Sequence, residues 1–380
     1  MPLLARQSAH RHLLAACIAG LLVPGVCPRA SAAPAASPTL VRVVLIAGQS
    51  NADGRAPGSG LPVTPVNYQL PQESVSFYYQ THGRPANADG SLGVLTTLRP
   101  GATEFPAGGF GPEISLGHTL AEQLATTPDT GLALIKYAKG NSSLHTDWKA
   151  GGDATLVGDG PHYQTWQRVV RDGLAALRAR HPAATVKLSG LVWVQGETDI
   201  VGGAAVATAY GENLTRLITD VRATVDPNLP FLISRISSSQ TAYAAPNDPD
   251  YPAYLVVRAH QAAVANATPG VALIDTDGPG FTTNADRIHF DPSGQLALGR
   301  AFAARLGQRL VLRVSSIQSG PDGFDLTWNA APLRRYLIQT SPNLRDWTAF
   351  PVGATATWRD DPTFTPPAPE GRFYRVAERD

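Results

Sequence analysis

A regular alternation of apolar runs and amphipathic stretches constrains the fold of this chain more than any other feature. Val41–Ile46 is a nearly continuous apolar run rich in β-branched residues, as expected of a strand that is covered on both faces. Further strands are predicted at Ser74–Tyr79, Leu132–Ala138, Lys187–Gln195, Leu229–Ile236 and Val271–Asp275. Helices are predicted at 112–124, 162–180, 203–225, 252–267 and 293–310. The alternation predicts right-handed βαβ units and a three-layer α/β/α sandwich around a parallel sheet, spanning residues 41–310.

The pattern changes after Val311. Short alternating segments at Phe324–Trp328, Arg335–Gln339 and Phe373–Ala377 are separated by Pro, Gly and Asn, without a convincing helix. Residues 312–380 are therefore predicted to form a small all-β accessory module. Its Tyr336–Trp347 stretch and its Phe373-Tyr374-Arg375 ending are similar to a small β-sandwich module found in many secreted bacterial proteins. Its core is expected to contain the aromatic side chains Trp328, Trp347 and Tyr374.

The N-terminal segment has the features of a secretory signal peptide. Arg6 and Arg11 precede an apolar run from Leu13 to Val23, and Ala30-Ser31-Ala32 is a small-residue cleavage site. We therefore predict a signal peptide over residues 1–32, a linker over 33–40, and export to the periplasm or the medium. The apolar run is too short to span a bilayer, so no stable membrane insertion is expected after cleavage.

Composition excludes several functional classes. Both cysteines, Cys17 and Cys27, lie in the predicted signal peptide, so the mature chain would have no disulfide, thiolate metal site or cysteine nucleophile. The 31 Lys+Arg residues nearly balance the 30 Asp+Glu residues, which argues against nucleic acid as a partner. Most of the basic residues are arginine, and with the many alanines this bias is typical of a GC-rich bacterial source.

The first strand leads directly into Gly48-Gln49-Ser50-Asn51. Active sites of parallel sheets lie at the carboxyl ends of the strands, which is where Ser50 is expected. Ser50 is therefore a candidate nucleophile, although the G-x-S-x-G elbow is absent because residue 52 is Ala. The alternative is an ordinary polar turn between a strand and a helix.

Polar residues follow two further strands. Gln195 ends one of them, and a side-chain amide in this position can donate to a developing oxyanion, unless Glu197 or Asp199 simply caps the next helix. Asp286 precedes His289 by three residues after the last strand, a spacing that lets the carboxylate orient an imidazole base. The same spacing occurs at Asp159-Gly160-Pro161-His162, but that sequence lies in a Gly-rich segment between a strand and a helix. Asp286 and His289 instead follow the last buried strand, so we take them as the candidate pair.

A glycine-rich loop, Gly108-Gly109-Phe110-Gly111-Pro112-Glu113, leads into the first predicted helix, at 112–124. Its backbone N–H groups are candidates for binding an anion, or the loop is merely flexible. A phosphate cradle is disfavoured because no Walker sequence with a following Lys-Ser/Thr is present.

Taken together and in this order, four motifs resemble the sialate O-acetylesterase-like branch of the SGNH hydrolases. They are Gly48-Gln49-Ser50-Asn51, Gly111-Pro112-Glu113, Trp193-Val194-Gln195-Gly196-Glu197 and Asp286-x-x-His289. This branch includes the acetylxylan esterases of carbohydrate esterase family six and has a flavodoxin-like sandwich. Lys136-Tyr137-Ala138-Lys139-Gly140 is similar to an insert of the same branch, and the resemblance covers about residues 41–308.

The resemblance implies roles for the site residues. Ser50 would be the nucleophile, His289 the base and Asp286 the acid that orients it, with Glu197 as a second candidate for the supporting acid. The oxyanion hole would combine the backbone N–H of Ser50, the N–H of Gly111 or alternatively Gly109, and the side chain of Gln195. No metal and no organic cofactor are implied.

The implied function is a secreted carbohydrate O-acetylesterase that works through an acetyl-enzyme. Its partner would be an acetylated carbohydrate of the acetylxylan or acetylated sialic acid class. Two alternatives stay open: a non-catalytic carbohydrate-binding protein on the same fold, and an SGNH esterase acting on another acyl ester. The sugar depends on loops at 52–73, 80–108 and 140–162, and the sequence leaves the oligomeric state open.

Overall fold

The computed structural model describes residues 37–81, 93–104, 108–125, 127, 129–152, 155–310, 314–320, 323–330, 335–360 and 373–379. The predicted signal peptide and most of the predicted linker lie outside these residues, as do parts of two predicted specificity loops and residues 361–372 of the predicted C-terminal module.

A seven-stranded sheet forms the centre of the larger part of the chain. It contains β1 (Leu40–Gly48), β2 (Gln72–Thr81), β3 (Thr96–Leu98), β4 (Thr130–Ala138), β5 (Thr185–Val194), β6 (Phe231–Ser234) and β7 (Val271–Ile274). The strand order is β3-β2-β4-β1-β5-β6-β7, and all neighbours are parallel except the edge pair of β2 and β3. The six predicted strands are confirmed, and the three-residue antiparallel β3 is the addition that the sequence pattern did not reveal.

Helices cover both faces of the sheet. They are α1 (Ser50–Asp53), α2 (Glu113–Leu124), α3 (Pro161–Arg180), α4 (Glu197–Val201), α5 (Ala204–Thr224), α6 (Thr241–Ala244), α7 (Tyr251–Ala267) and α8 (Pro292–Leu310), with a 3₁₀ turn at Gly58–Gly60. The five long helices agree with the predicted ones to within one or two residues at each end, which is the ordinary uncertainty of helix termini.

The central strand β1 shows why two helical layers form. Val43 and Leu45 point into one apolar cluster together with side chains of α3, α5 and α7. Val44 and Ile46 point the other way, into a second cluster with side chains of α2 and α8. Because successive side chains of a strand alternate between faces, a continuous apolar run must be buried on both sides. The predicted three-layer α/β/α sandwich is confirmed.

The C-terminal strands form two small antiparallel sheets. They are β8 (Val314–Gly320), β9 (Gly323–Trp328), β10 (Arg335–Ser341), β11 (Thr348–Gly353), β12 (Thr357–Asp360) and β13 (Phe373–Arg379), in the orders β11-β10-β13 and β12-β9-β8. Trp328 is buried in their core and Tyr374 packs against it, as predicted. Trp347 was expected there too, but it is half-buried, and the Arg375 guanidinium lies 4.0 Å from its ring centroid.

Among the helices that the structure describes, none combines the length and the apolar character needed to cross a bilayer.

Candidate active site

Strands β1 and β5 bring the Gly48–Asn51 motif and the Trp193–Glu197 motif together. Because β1 and β5 are neighbours, their carboxyl ends at Gly48 and Val194 are paired, which sets the Ser50 turn beside Gln195. Gly48 permits this contact: its φ is +139°, and a Cβ there would lie 2.0 Å from the carbonyl oxygen of Val194. The loop between β7 and α8 brings His289 to the same edge.

Three of the predicted residues form a continuous hydrogen-bonded chain. His289 Nε2 lies 2.9 Å from Ser50 Oγ, and His289 Nδ1 lies 2.7 Å from Asp286 Oδ2. An ionised carboxylate only accepts hydrogen bonds, so Nδ1 carries the proton and Nε2 is left to accept the hydroxyl proton of Ser50. This tautomer is the one that a general base needs.

Asp286 is held in its ionised form by the turn in which it lies. Burial alone would raise its pKa, but the backbone N–H of His289, the imidazole of His289 and the backbone N–H of Ile288 outweigh burial and lower the pKa. Both backbone donors bind Oδ1 at 2.9 Å, which leaves Oδ2 for the ring. The carboxylate therefore has one oxygen for the turn and one for the imidazole.

Asn51 connects the serine turn to the histidine loop, a role that the sequence analysis did not assign. Its Oδ1 accepts the backbone N–H of Phe290 at 3.0 Å, and its Nδ2 donates to the carbonyl oxygen of Ile288 at 3.3 Å. These two bonds flank His289 on both sides in the sequence. Since Asn51 follows Ser50 directly, these bonds hold the backbone around His289 at a fixed distance from the serine.

Glu197, the second candidate for the supporting acid, does not bind the imidazole. Its Oε1 accepts hydrogen bonds from Asn51 Nδ2 at 2.7 Å and from Gln240 Nε2 at 2.9 Å. Gln240 also donates to the carbonyl of Ile288, so Glu197 supports the backbone before His289 rather than the ring. Within the described part of the chain, the acid on the ring is Asp286.

The N–H of Gly111, predicted as an oxyanion donor, already has a protein acceptor in this structure. Its N–H donates to Glu113 Oε1 at 3.0 Å, so it is already satisfied by a carboxylate. Gly109, the alternative, stays a prediction. For the N–H of Ser50 no acceptor is found among the described residues, so this donor is available.

The side chain of Gln195, also predicted as an oxyanion donor, is fully buried in this structure. Its Nε2 donates to Asp199 Oδ2 at 2.6 Å, and lies 3.1 Å from the carbonyl oxygen of Ser142 and 3.2 Å from Gln49 Oε1. The amide of Gln195 has two N–H groups and three protein acceptors around it, so neither N–H is free to bind a substrate in this structure. Asp199, considered above as a helix cap, instead binds Gln195 and the loop before Asp147.

A buried ion pair lies beneath the serine turn. Lys136 Nζ is 2.8 Å from Glu113 Oε2 and also donates to the carbonyl oxygens of Asp53 and Ala102. The exposed fractions of the two charged side chains are 2% and 0%. The pair therefore ties β4 and α2 to the segment that follows Ser50, a role that the motif around Lys136 had not revealed.

Removing the cation of this pair is expected to destabilise the fold strongly. Lys136→Met leaves Glu113 as a buried, uncompensated charge, for which we expect a loss of about 3 to 5 kcal/mol in the free energy of unfolding. The matched control is Lys139→Met, since Lys139 is partly exposed and lies 3.5 Å from Glu104; a change below about 1 kcal/mol is expected there. Urea unfolding measures both, and equal losses would contradict a special role of the buried pair.

Ionisation of Asp53 is expected to make the free energy of unfolding depend on pH. Burial raises its pKa from 3.8 to about 6, although the Lys136 ammonium and the hydroxyl of Thr103 oppose the shift. Because the folded state favours the protonated carboxyl of Asp53, this group contributes its full stabilisation to the fold below pH 3.8. That contribution is lost as the pH rises through about 6. The unfolding free energy of the wild type relative to Asp53→Asn should therefore fall by about 1 to 3 kcal/mol between about pH 4 and about pH 7. A difference that does not change with pH would contradict this.

An open cleft of about 230 Å³ surrounds the serine hydroxyl. Its walls carry polar, aromatic and aliphatic side chains from several separate segments of the chain. They are Gln49, Ser50, Arg55, Asn141, Glu197, Thr198, Val201, Tyr243, Ile288 and His289. A cleft that combines apolar surface with polar side chains can orient an acylated, hydroxyl-bearing ligand over the nucleophile.

Comparison with known families assigns most of the chain to one family. Residues 40–308 match the family described as "Carbohydrate esterase, sialic acid-specific acetylesterase". Because the match spans more than half of the sequence, the chain belongs to this family. It is accordingly a carboxylic ester hydrolase of the carbohydrate esterase class.

Solved structures with low sequence identity also match this chain. The crystal structure of NanS is 16% identical with a TM-score of 0.51, over 72% of this chain and 98% of that one. A protein from Arabidopsis thaliana is 19% identical with a TM-score of 0.49, over 71% and 98%. A carbohydrate acetylesterase from Xanthomonas citri is 17% identical with a TM-score of 0.43, over 84% and 72%. Curated protein sequences gave no significant match.

Proposed function

We propose that this protein is an exported carbohydrate O-acetylesterase that uses Ser50 as its nucleophile, His289 as general base and Asp286 as the acid orienting the base. The observation that supports this most is the unbroken chain of hydrogen bonds from Asp286 through the imidazole to Ser50, at 2.7 and 2.9 Å. Family membership supports the carbohydrate esterase class independently.

The first half of the reaction forms the acetyl-enzyme. A serine hydroxyl is a weak nucleophile, so His289 Nε2 takes its proton while Oγ attacks the acetyl carbonyl. The carbonyl electron pair moves onto oxygen, and the N–H of Ser50 donates to the oxyanion. When the intermediate collapses, the bond to the sugar oxygen breaks and His289 returns its proton to that oxygen.

The second half releases acetate. Water takes the place of the sugar hydroxyl, gives a proton to His289 and attacks the acetyl carbonyl of the acyl-enzyme. Collapse of this second intermediate breaks the bond to Ser50 Oγ, which recovers its proton from the imidazole. Asp286 stays ionised throughout and stabilises the imidazolium that forms in each half.

Acetylated carbohydrate is the substrate class that the cleft supports best. Arg55, Asn141 and Tyr243 line it beside Ser50 and offer polar groups and an aromatic ring to a sugar. Residues 312–380 are proposed as a non-catalytic accessory module, since all cleft-lining residues precede Phe290.

Release of acetate from a panel of esters tests the proposal. We expect acetate from p-nitrophenyl acetate and from at least one of acetylated xylan and acetylated sialic acid. Binding of these glycans without release would favour the non-catalytic alternative. Faster hydrolysis of a longer acyl ester than of any acetyl ester would favour the alternative acyl substrate.

Export is proposed on the N-terminal sequence alone, with the periplasm and the medium as the two destinations. N-terminal sequencing of protein recovered outside the cytoplasm of a bacterial host is expected to begin near Ala33. Recovery of the uncleaved chain from the cytoplasm alone would overturn this part of the proposal.

A further inference from the structure

Gln49 lies immediately before the nucleophile, and its side-chain carbonyl is held by three donors. Oε1 accepts the backbone N–H of Thr198 at 3.1 Å, the side-chain amide of Gln195 at 3.2 Å and the backbone N–H of Gly196 at 3.4 Å. All three partners are donors, so the amide can adopt only one orientation, with its oxygen turned toward β5.

The other end of the same amide faces the cleft. Gln49 is one of the residues lining the cleft beside Ser50 and His289. Within the described part of the chain, Gln49 Nε2 has no acceptor, and it is not among the buried polar atoms that are cut off from solvent. Its two N–H groups are therefore open to a ligand bound at Ser50.

We propose that Gln49 supplies the side-chain hydrogen bond to the oxyanion, the role that the sequence analysis gave to Gln195. This inference rests on the proposed function of Ser50 as the nucleophile. Gln195 and Asp199 support this donor indirectly. Asp199 accepts a hydrogen bond from the side-chain amide of Gln195, and that amide donates to the side-chain carbonyl of Gln49. A donor fixed in advance in this way needs no reorganisation when charge develops, which is the condition for a large catalytic effect.

The proton balance of the step is unchanged by this donor. The bond between Ser50 Oγ and the acetyl carbon forms, the carbonyl electron pair moves onto oxygen, and the hydroxyl proton goes to His289 Nε2. Gln49 donates a hydrogen bond to that oxygen without losing a proton. On collapse the oxygen recovers its double bond, and Gln49 returns to its starting state.

The decisive variant is Gln49→Glu, because it keeps Oε1 and its three donors and replaces only the donating NH₂ by an oxygen. We expect kcat for p-nitrophenyl acetate to fall by about 10² to 10³ with KM changed less than about threefold. Affinity for a boronic acid, which forms a tetrahedral anion on a serine nucleophile, should fall by a similar factor. Gln69→Glu introduces the same charge at an exposed position outside the cleft and should leave both quantities unchanged.

A second variant guards against loss of folding. Gln49→Met keeps the length of the side chain without donor or acceptor, and the same losses in kcat and boronate affinity are expected, with thermal unfolding recorded alongside. Wild-type-like kcat and boronate affinity in either folded variant would overturn the inference while leaving the proposed function intact. A wild-type protein without acetyl ester hydrolysis would instead overturn the proposed function, and this inference with it.

Discussion

Replacing Ser50 by alanine is expected to lower kcat for acetyl ester hydrolysis by at least about 10⁴-fold, because no other group in the relay can form the acyl-enzyme. The side chain is almost fully buried, and among the described residues the partner of its hydroxyl is the imidazole of His289. Removal of Ser50 Oγ, at the carboxyl edge of the sheet, should not disturb the packing of the core. Far-UV circular dichroism and the midpoint of thermal unfolding are therefore expected to match the wild type.

Ser293→Ala is the matched control for this variant. Ser293 is exposed in the first turn of α8, close in sequence to His289 but outside the relay. Its replacement is expected to leave kcat within about twofold of the wild type. Substantial hydrolysis by folded Ser50→Ala protein would remove the nucleophile assignment.

The second large effect is expected for Asp286→Asn. The backbone N–H groups of Ile288 and His289 require an acceptor at Oδ1, so the introduced amide must turn its NH₂ toward the imidazole. Nδ1 then has to accept, which transfers the ring proton to Nε2 and leaves no site for the proton of Ser50. We expect kcat to fall by about 10³ to 10⁴ at neutral pH with little change in KM.

Glu197→Gln separates the two carboxylates. It keeps an acceptor at Oε1 for Asn51 and Gln240, so we expect less than about a tenfold loss in kcat. Steady-state kinetics of both variants on p-nitrophenyl acetate measures the contrast. A larger loss in Glu197→Gln than in Asp286→Asn would reverse the assignment of the supporting acid.

Much of this arrangement was accessible from sequence, for identifiable reasons. The run Val41–Ile46 is apolar on both faces, which is what a central parallel strand requires, and the serine that follows it must lie at the carboxyl edge of the sheet. The three-residue spacing of Asp286 and His289 allows one carboxylate to bind both the turn and the ring. Local patterns thus predicted both the layers and the relay.

The oxyanion donors were harder to predict because they depend on contacts between distant segments. Whether the amide of Gln195 faces substrate depends on where Asp199 and the carbonyl of Ser142 lie, and no local pattern specifies that. Whether Gly111 is free depends on how the Glu113 side chain folds back. In both cases the structure pairs the predicted donor with a protein acceptor that the local sequence does not specify.

The remaining differences arise where sequence patterns are short or ambiguous. The edge strand β3 has three residues, too few to show an alternation. Trp347 lies in a turn-rich segment before β11, where its ring is covered by Arg375 instead of the core. The pairing of Lys136 with Glu113 joins residues from β4 and α2, which only the folded chain brings together.

Covalent labelling tests the central claim most directly. A fluorophosphonate reacts with an activated serine, and peptide mass spectrometry locates the adduct. We expect one adduct per chain, on the peptide that contains Ser50. Acetyl ester hydrolysis should be lost completely when labelling is complete. The Asp286→Asn variant should be labelled more slowly than the wild type. Hydrolysis that persists after Ser50 is fully labelled, or inactivation by an adduct at another residue, would contradict the account.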